Sequence, residues 1–440
     1  MAEFHIESFQ NPFLPQGVST MHAVLTVTAS ATGSTGSGDA APEDRSELII
    51  VDTSGSMNGA KLRSVKTATS TAIDCIPDGV RFGIITGNHE AEIAFPAFPP
   101  LVVSSAQTRA DAKKAVTKFE AGGGTAMGSW IELAAYILGD SSGIRHAILL
   151  TDGKNESEEP EDLDRSLRAA EGIFQCDCRG VGANWVVAEL RKVATALLGT
   201  YDIVANPEGL AVDFSSMMME SLRKQVAEVT LRVWTPQNAQ VVALKQMDPP
   251  LDLTDRRTGT APLVGDYATG SWGDESRDYY LSVRVPAGDI DDEMLAARVT
   301  LMIGEEQGPQ CLVRAVWTDD AAKSTRMNNR VAEALGESEL ADAIQVGIDA
   351  LRDGDDSSAT RHLAKAVSMA KDAGNDEALE RLKHVVDEDP ITGRVRPKPK
   401  VEDIDLLTLE TRSTRTSRTS KPMPPDSPSP PNGPPPGEPA

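Results

Sequence analysis

Aromatic residues make up only 4% of this 440-residue chain, and Lys plus Arg number 43 against 66 Asp plus Glu, giving a formal net charge of -23. That shortage of base argues against nucleic acid, whose phosphates reward clustered Lys and Arg, and against anionic membrane surfaces for the same reason. Long uncharged apolar runs are missing, and Met1-Ala2-Glu3-Phe4-His5 lacks a basic region followed by an apolar core. Neither membrane insertion nor a secretory leader is expected, and the cytoplasm is the simplest location. Cysteine is limited to Cys75, Cys176, Cys178 and Cys311, which do not make a disulfide framework in a chain this size. Cys176 and Cys178 sit two apart in a strand-like stretch, so both thiols should point to one face. With no further Cys or His nearby to complete a zinc site, they are expected simply to pack. The six histidines, His5, His22, His89, His146, His362 and His384, are scattered without catalytic or metal-binding spacing and are read as surface or core.

What the chain does have is Asp52-Thr53-Ser54-Gly55-Ser56 at the end of the apolar run Leu48-Ile49-Ile50-Val51. This places one carboxylate and two hydroxyls on a strand-to-loop turn, followed by a helix-like stretch from Gly59 to Ile76. Two more segments match it in character: Gly122-Gly123-Gly124-Thr125, and Leu149-Leu150-Thr151-Asp152-Gly153 after another apolar run. Mg²⁺ wants about six oxygens at about 2.1 Å and keeps some waters, so Asp52, Ser54, Ser56, Thr125 and Asp152 would suffice as its protein shell. Other readings fail on spacing. Ser54 interrupts the Asp-Thr-Gly order of an aspartic protease and no second copy exists, while Gly59-Ala60-Lys61-Leu62 does not end as a phosphate loop must.

The order Asp-x-Ser-x-Ser, distant Thr, distant Asp resembles the metal-ion-dependent adhesion site of von Willebrand factor type A domains, and all five positions match. The resemblance covers about Ser46 to Asp213. It implies that Ser54, Ser56 and Thr125 can touch Mg²⁺ or Mn²⁺ while Asp52 and Asp152 act largely through water, leaving one position for a partner's carboxylate. Both carboxylates are expected to lie at the surface, so their removal should leave the fold intact.

Between Ser46 and Asp213, apolar strands alternate with amphipathic helices, the pattern of a doubly wound α/β fold with a mostly parallel sheet. Strands are expected over 47–52, 81–86, 91–95, 145–150, 177–181 and 201–204, with helices over 59–76, 108–119, 127–138, 160–174 and 185–198. The carboxyl ends of such strands line a crevice, which independently brings Asp52 and Asp152 together. Met21 to Ala29 is β-rich, and period-two segments follow at 226–234, 239–244, 279–285, 296–303 and 311–317. A β-sandwich built from both flanks, with the α/β domain inserted in it, is expected. The period then turns helical: Leu335, Ala341, Ile344, Ile348 and Leu351 form one stripe, Leu363, Ala366, Val367 and Ala370 a second, and Leu379, Leu382 and Val386 a third. The expected units are 1–45 (β segment and linker of the sandwich), 46–215 (type A domain), 216–320 (sandwich), 321–390 (small helical domain) and 391–440 (unfolded Pro/Ser/Thr-rich tail).

Within that tail an acidic-aliphatic stretch from Asp403 meets a Ser/Thr/Arg-rich one, making Thr408, Thr411, Thr414 and Thr416 candidate phosphorylation sites. The layout resembles bacterial type A domain proteins that operate beside Ser/Thr kinases and forkhead-associated domains. No nucleophile-base pair, phosphate loop or catalytic metal cluster is legible, so no enzymatic activity is expected. The expected function is a non-enzymatic intracellular adaptor that binds an acidic protein partner through the metal, with a tail read as phosphothreonine. The alternative is an accessory subunit of an AAA+ ATPase or chelatase-type machine, which adjacent ATPase genes would favour. Surface adhesion is weakened by the missing leader.

Overall fold

The computed structural model describes residues 2–31, 44–182, 185–204, 209–389 and 392–413. At its centre lies a seven-stranded sheet in the order Tyr201–Val204, Gln175–Val181, Ile144–Thr151, Arg45–Asp52, Arg81–Gly87, Ala91–Phe95, with Val102–Val103 also pairing with Arg81–Gly87. The first five strands run parallel and the last pairs antiparallel. Helices cover both faces. Ala60–Cys75, Ala106–Thr117 and Leu210–Leu222 bury one side, and Met127–Gly139, Pro160–Ala170 and Val187–Ala196 the other. With both faces covered, the central strand Arg45–Asp52 is buried at every residue, which explains why its sequence is a continuous apolar run rather than an alternating one.

The expected strands and helices of this unit stand within a few residues of their predicted limits. The helix Leu210–Leu222 was not foreseen. It closes the unit by burying Phe214, Met217 and Met218 against the same core as the Ala60–Cys75 helix.

The flanking strands form a sandwich of two sheets. One is antiparallel, in the order Ala2–Gln10, Thr20–Ala31, Glu275–Arg284, Gln240–Gln246, Leu251–Asp252. The other runs Thr258–Ala261, Val264–Trp272, Val226–Trp234, Glu293–Ile303, Glu306–Thr318, Phe13–Pro15. Thr20–Ala31 pairs directly with Glu275–Arg284, with Met21 opposite Val283, Leu25 opposite Tyr279 and Val27 opposite Arg277. The α/β unit is therefore inserted between strands of one sandwich. Five strands of the sandwich escaped the sequence reading, the short Phe13–Pro15, Leu251–Asp252 and Thr258–Ala261 and two long ones. Ala2–Gln10 does alternate, with Phe4 and Ile6 inward and Glu3, His5 and Glu7 not, while Val264–Trp272 was hidden by Gly265 and Gly270, which weaken a strand pattern.

The two crossings between sandwich and insert are tied together. The Arg45 guanidinium donates to the backbone carbonyls of Ser221 and Lys224. Ser221 Oγ in turn donates to Glu47 Oε1 at 2.8 Å. Glu47 Oε2 lies 2.7 Å from His146 Nδ1, whose Nε2 lies 3.1 Å from Asp177 Oδ2. Asp177 also accepts from the backbone and hydroxyl of Thr200 at 2.6 and 2.7 Å. Burial alone would keep His146 neutral, but the carboxylates on either side outweigh it and push the imidazole up to about 10. It is thus a charged core residue with two carboxylate partners, more specific than the plain core or surface histidine expected.

Helices Asn329–Arg352, Asp356–Asp372 and Asp376–Val385 form the expected helical domain, but its limit at residue 390 is too short. Val395–Pro397 pairs with Val386–Glu388, and Asp403–Ser413 is a helix burying Leu407, Leu409 and Thr411. Residues 392–413 are therefore folded, contrary to an unfolded tail beginning at 391. The aliphatic residues Ile404, Leu406, Leu407 and Leu409 supply the apolar surface that the Pro-rich sequence further on lacks. Among the described residues, no helix is long and apolar enough to cross a membrane.

Removal of residues 1–45 should lower the thermal midpoint by more than about 10 °C, because it deletes two strands of one sheet and the buried row Met21, Ala23, Leu25, Val27, Ala29. Leu25→Ala alone should cost about 2–5 kcal/mol in denaturant titration. An unchanged midpoint in the shortened chain would refute the shared sandwich.

Candidate metal centre

Parallel pairing sets Val51 opposite Leu150, so the strands ending at Asp52 and Thr151 finish side by side and bring Asp152 to Asp52. Beyond Asp52 the chain turns at once. Asp52 Oδ1 accepts from the Ser54 backbone N–H at 2.7 Å, and Oδ2 accepts from the Thr151 hydroxyl. Ser54 Oγ and Ser56 Oγ are 3.0 Å apart, and Ser56 Oγ donates to Asp152 Oδ1 at 2.7 Å. The glycine loop is laced onto this turn by two backbone bonds, Gly55 N–H to Gly123 O at 2.9 Å and Gly122 N–H to Thr53 O at 2.8 Å. A side chain at Gly55 would press on that same carbonyl, since its Cβ would lie 3.3 Å from Gly123 O.

Thr125 is fixed from behind. Its backbone exchanges bonds with Ser157, and the first amides of the helix Met127–Gly139 donate to Asn155 Oδ1 at 2.8 Å and Glu158 Oε1 at 2.7 Å. The loop after Asp152 thus caps the helix after Thr125, satisfying amides that a helix leaves open at its start.

All five predicted site residues meet. Gly153 locates the meeting point: a Cβ added there would lie 3.0 Å from Thr125 Oγ1, 3.5 Å from Ser56 Oγ and 3.8 Å from Asp52 Oδ2. Hydroxyl and carboxylate oxygens from three separate segments face one small space. Among the described residues no group of three or more His, Cys, Asp or Glu is arranged to hold a metal ion, and this centre offers two carboxylates, three hydroxyls and no soft donor. Such a set fits a hard cation. Only Ser56 is exposed, which leaves that side open to solvent.

Two corrections follow. Asp52 and Asp152 are fully buried rather than surface carboxylates. Burial raises the Asp52 carboxyl above the usual aspartate value; hydrogen bonds from Ser54 and Thr151 pull it back, and the Asp152 charge adds to the rise. A second residue went unforeseen: Lys61 Nζ, reaching from the helix Ala60–Cys75, donates to Asp152 Oδ2. Nothing in its local sequence marks it, since only the fold brings it to Asp152. Cys176 and Cys178 do pack on one face, buried, with sulfurs 4.0 Å apart. Of the candidate phosphorylation sites, Thr408 donates to Ile404 O at 2.6 Å inside a helix and Thr411 is fully buried. Thr414 and Thr416 lie outside the described residues.

Asp52→Asn in metal-free buffer should keep or raise the thermal midpoint, because the amide retains an acceptor for Ser54 while removing a buried charge beside Asp152. A loss beyond about 2 kcal/mol in denaturant titration would show that the ionised carboxylate itself is needed for folding.

Comparison with known proteins places the fold that carries this site. The von Willebrand factor type A domain family matches residues 47–203, and the von Willebrand factor type A C-terminal domain matches residues 368–413. A solved structure, the von Willebrand factor type A protein from Catenulispora acidiphila, is 43% identical and superposes with a TM-score of 0.89 over 94% of this chain and 97% of that one. The ArnB paralog VWA2 from Sulfolobus acidocaldarius shares the fold at 15% identity, with a TM-score of 0.58 over 94% and 98% of the two chains. An uncharacterized protein of Synechocystis is 28% identical over 235 residues, 50% of this chain and 53% of that protein. Inter-alpha-trypsin inhibitor heavy chain H4 of Bos taurus is 27% identical over 242 residues, 48% of this chain and 26% of that protein. The matches thus span about half or less of the length of these curated relatives. With a structural relative matched over nearly its whole length, this chain belongs to the von Willebrand factor type A domain family.

Proposed function

We propose that this protein is a non-enzymatic intracellular adaptor whose α/β unit grips an acidic side chain of a protein partner through Mg²⁺ or Mn²⁺. The observation that carries this reading is the convergence of Thr125, Ser56 and Asp52 oxygens on the space beside Gly153. Ser54, Ser56 and Thr125 would hold the ion directly, and Asp52 and Asp152 would hold it through water. The ion supplies a positive Lewis-acidic point that a partner carboxylate can complete. The chain's own residues do the rest. Buried Asp52 and Asp152 fix two negative charges, the Thr151 hydroxyl and Ser54 amide orient Asp52, and exposed Ser56 marks the approach side. Hydroxyl ligands add no charge of their own, so the ion stays electrophilic toward a third carboxylate.

The phosphothreonine part of the proposal narrows. Thr411 is buried and Thr408 is bonded within its helix, so the threonines offered to a Ser/Thr kinase and a forkhead-associated reader are Thr414 and Thr416, beside Arg412 and Arg415. A phosphate there would bring about -1.5 to -2 charges and three acceptor oxygens for a reader's donors.

Affinity capture from native cells should recover the partner with Mg²⁺ and lose it with chelator or with Asp52→Ala. Phosphopeptide mapping of the same material should find phosphate on Thr414 or Thr416 rather than on Thr408 or Thr411. Capture indifferent to both chelator and Asp52→Ala would overturn the metal-bridged adaptor.

A further inference from the structure

Lys61 is the second residue of the helix Ala60–Cys75, whose first turn carries no acidic residue and whose N-cap, Gly59, makes no side-chain capping bond. A cation is poorly placed there, because the amino end of a helix carries about half a positive charge and favours anions. Lys61 compensates elsewhere: its ammonium donates to Asp152 Oδ2, on a carboxylate that is fully buried, while the lysine side chain itself is 24% exposed. The other Asp152 oxygen accepts from Ser56. The cluster of Asp52, Asp152 and Lys61 therefore sums to one negative charge, where the two carboxylates alone would sum to two.

Resting on the metal-bridged reading above, we infer that Lys61 is the internal counter-ion of this centre, and that a divalent cation binds by exchange with its ammonium. Two buried carboxylates without a cation would repel each other and lack hydration. Lys61 supplies that neutralisation from within the chain. When a divalent ion takes over the role, the lysine charge becomes surplus and is repelled by the ion. Its partial exposure gives the ammonium a route to water without unfolding the helix. Exchange makes ion binding weaker than the donor set alone would give, and so leaves more of the binding free energy to be supplied by the partner's carboxylate. Metal occupancy and partner occupancy are then linked by this chain's own lysine.

The test is titration calorimetry of the full chain with Mn²⁺ and with Mg²⁺, comparing the natural protein with Lys61→Met and Lys61→Arg. Lys61→Met keeps the length of the side chain and removes the charge; it should bind the ion roughly tenfold or more tightly, while Lys61→Arg stays near the natural affinity. Thermal melts give a second readout. In chelator, Lys61→Met should melt below the natural protein, saturating Mn²⁺ should close the gap, and adding Asp152→Asn to Lys61→Met should restore stability in chelator. Equal or weaker ion binding by a folded Lys61→Met, with binding intact in the natural chain, would overturn the exchange and leave the metal reading standing. No binding by either protein at millimolar ion would overturn both. Binding by Lys61→Met alone would support both.

Discussion

The structure hangs on one strand, Arg45–Asp52, which is buried along its whole length and carries charge at both ends. Its middle, Leu48 to Val51, is held between two parallel neighbours in fixed register. Ends of this kind are demanding, because a buried charge left without partners is costly in a way that apolar packing cannot offset. At the amino end Arg45 and Glu47 are answered by Ser221, Lys224 and His146, and at the carboxyl end Asp52 is answered by Ser54 and Thr151. A slip of one residue would turn the apolar middle to the opposite faces and strand both sets of charges. The insertion point and the oxygen cluster are therefore two consequences of the same register.

Much of this was legible in sequence because the signals are local. Asp52, Ser54 and Ser56 lie within one turn, and strand ends of a parallel sheet meet by rule, which brought in Asp152. Thr125 needed the family pattern, since its placement depends on Gly55, Gly122 and Gly123 lacing two loops together. What was not legible is long-range electrostatics. Lys61 sits 91 residues from Asp152, and Glu47 sits 99 from His146. No periodicity encodes which distant charges will be buried side by side, and the depth of Asp52 and Asp152 was misjudged for the same reason.

The carboxyl-terminal stretch shows how composition can mislead over a short span. Residues 391–440 are dominated by Pro, Ser and Thr, yet the aliphatic residues of Asp403–Ser413 are enough for a helix that docks. Arg352 reaches Glu410 at 2.6 Å, and Arg412 reaches Asp202 on the edge strand of the α/β sheet at 3.2 Å. One helix thus bridges the helical domain and the α/β unit, and it ends where the Arg/Thr-rich sequence begins.

The inserted arrangement also decides how the molecule would bear a load. Both crossings to the sandwich lie beside Arg45, at the foot of the strand whose far end is Asp52. A pull delivered at Asp52 would run along the covalent strand to its foot and leave through the sandwich, whereas one delivered at Asp152 would have to cross the ladder between Ile144–Thr151 and Arg45–Asp52, loading it in shear. In shear, the hydrogen bonds of a parallel ladder resist together, whereas peeling from an edge would break them in turn. A partner held at the cluster would therefore meet a resistance that depends on direction, greater along the central strand than toward the edge strand Ala91–Phe95.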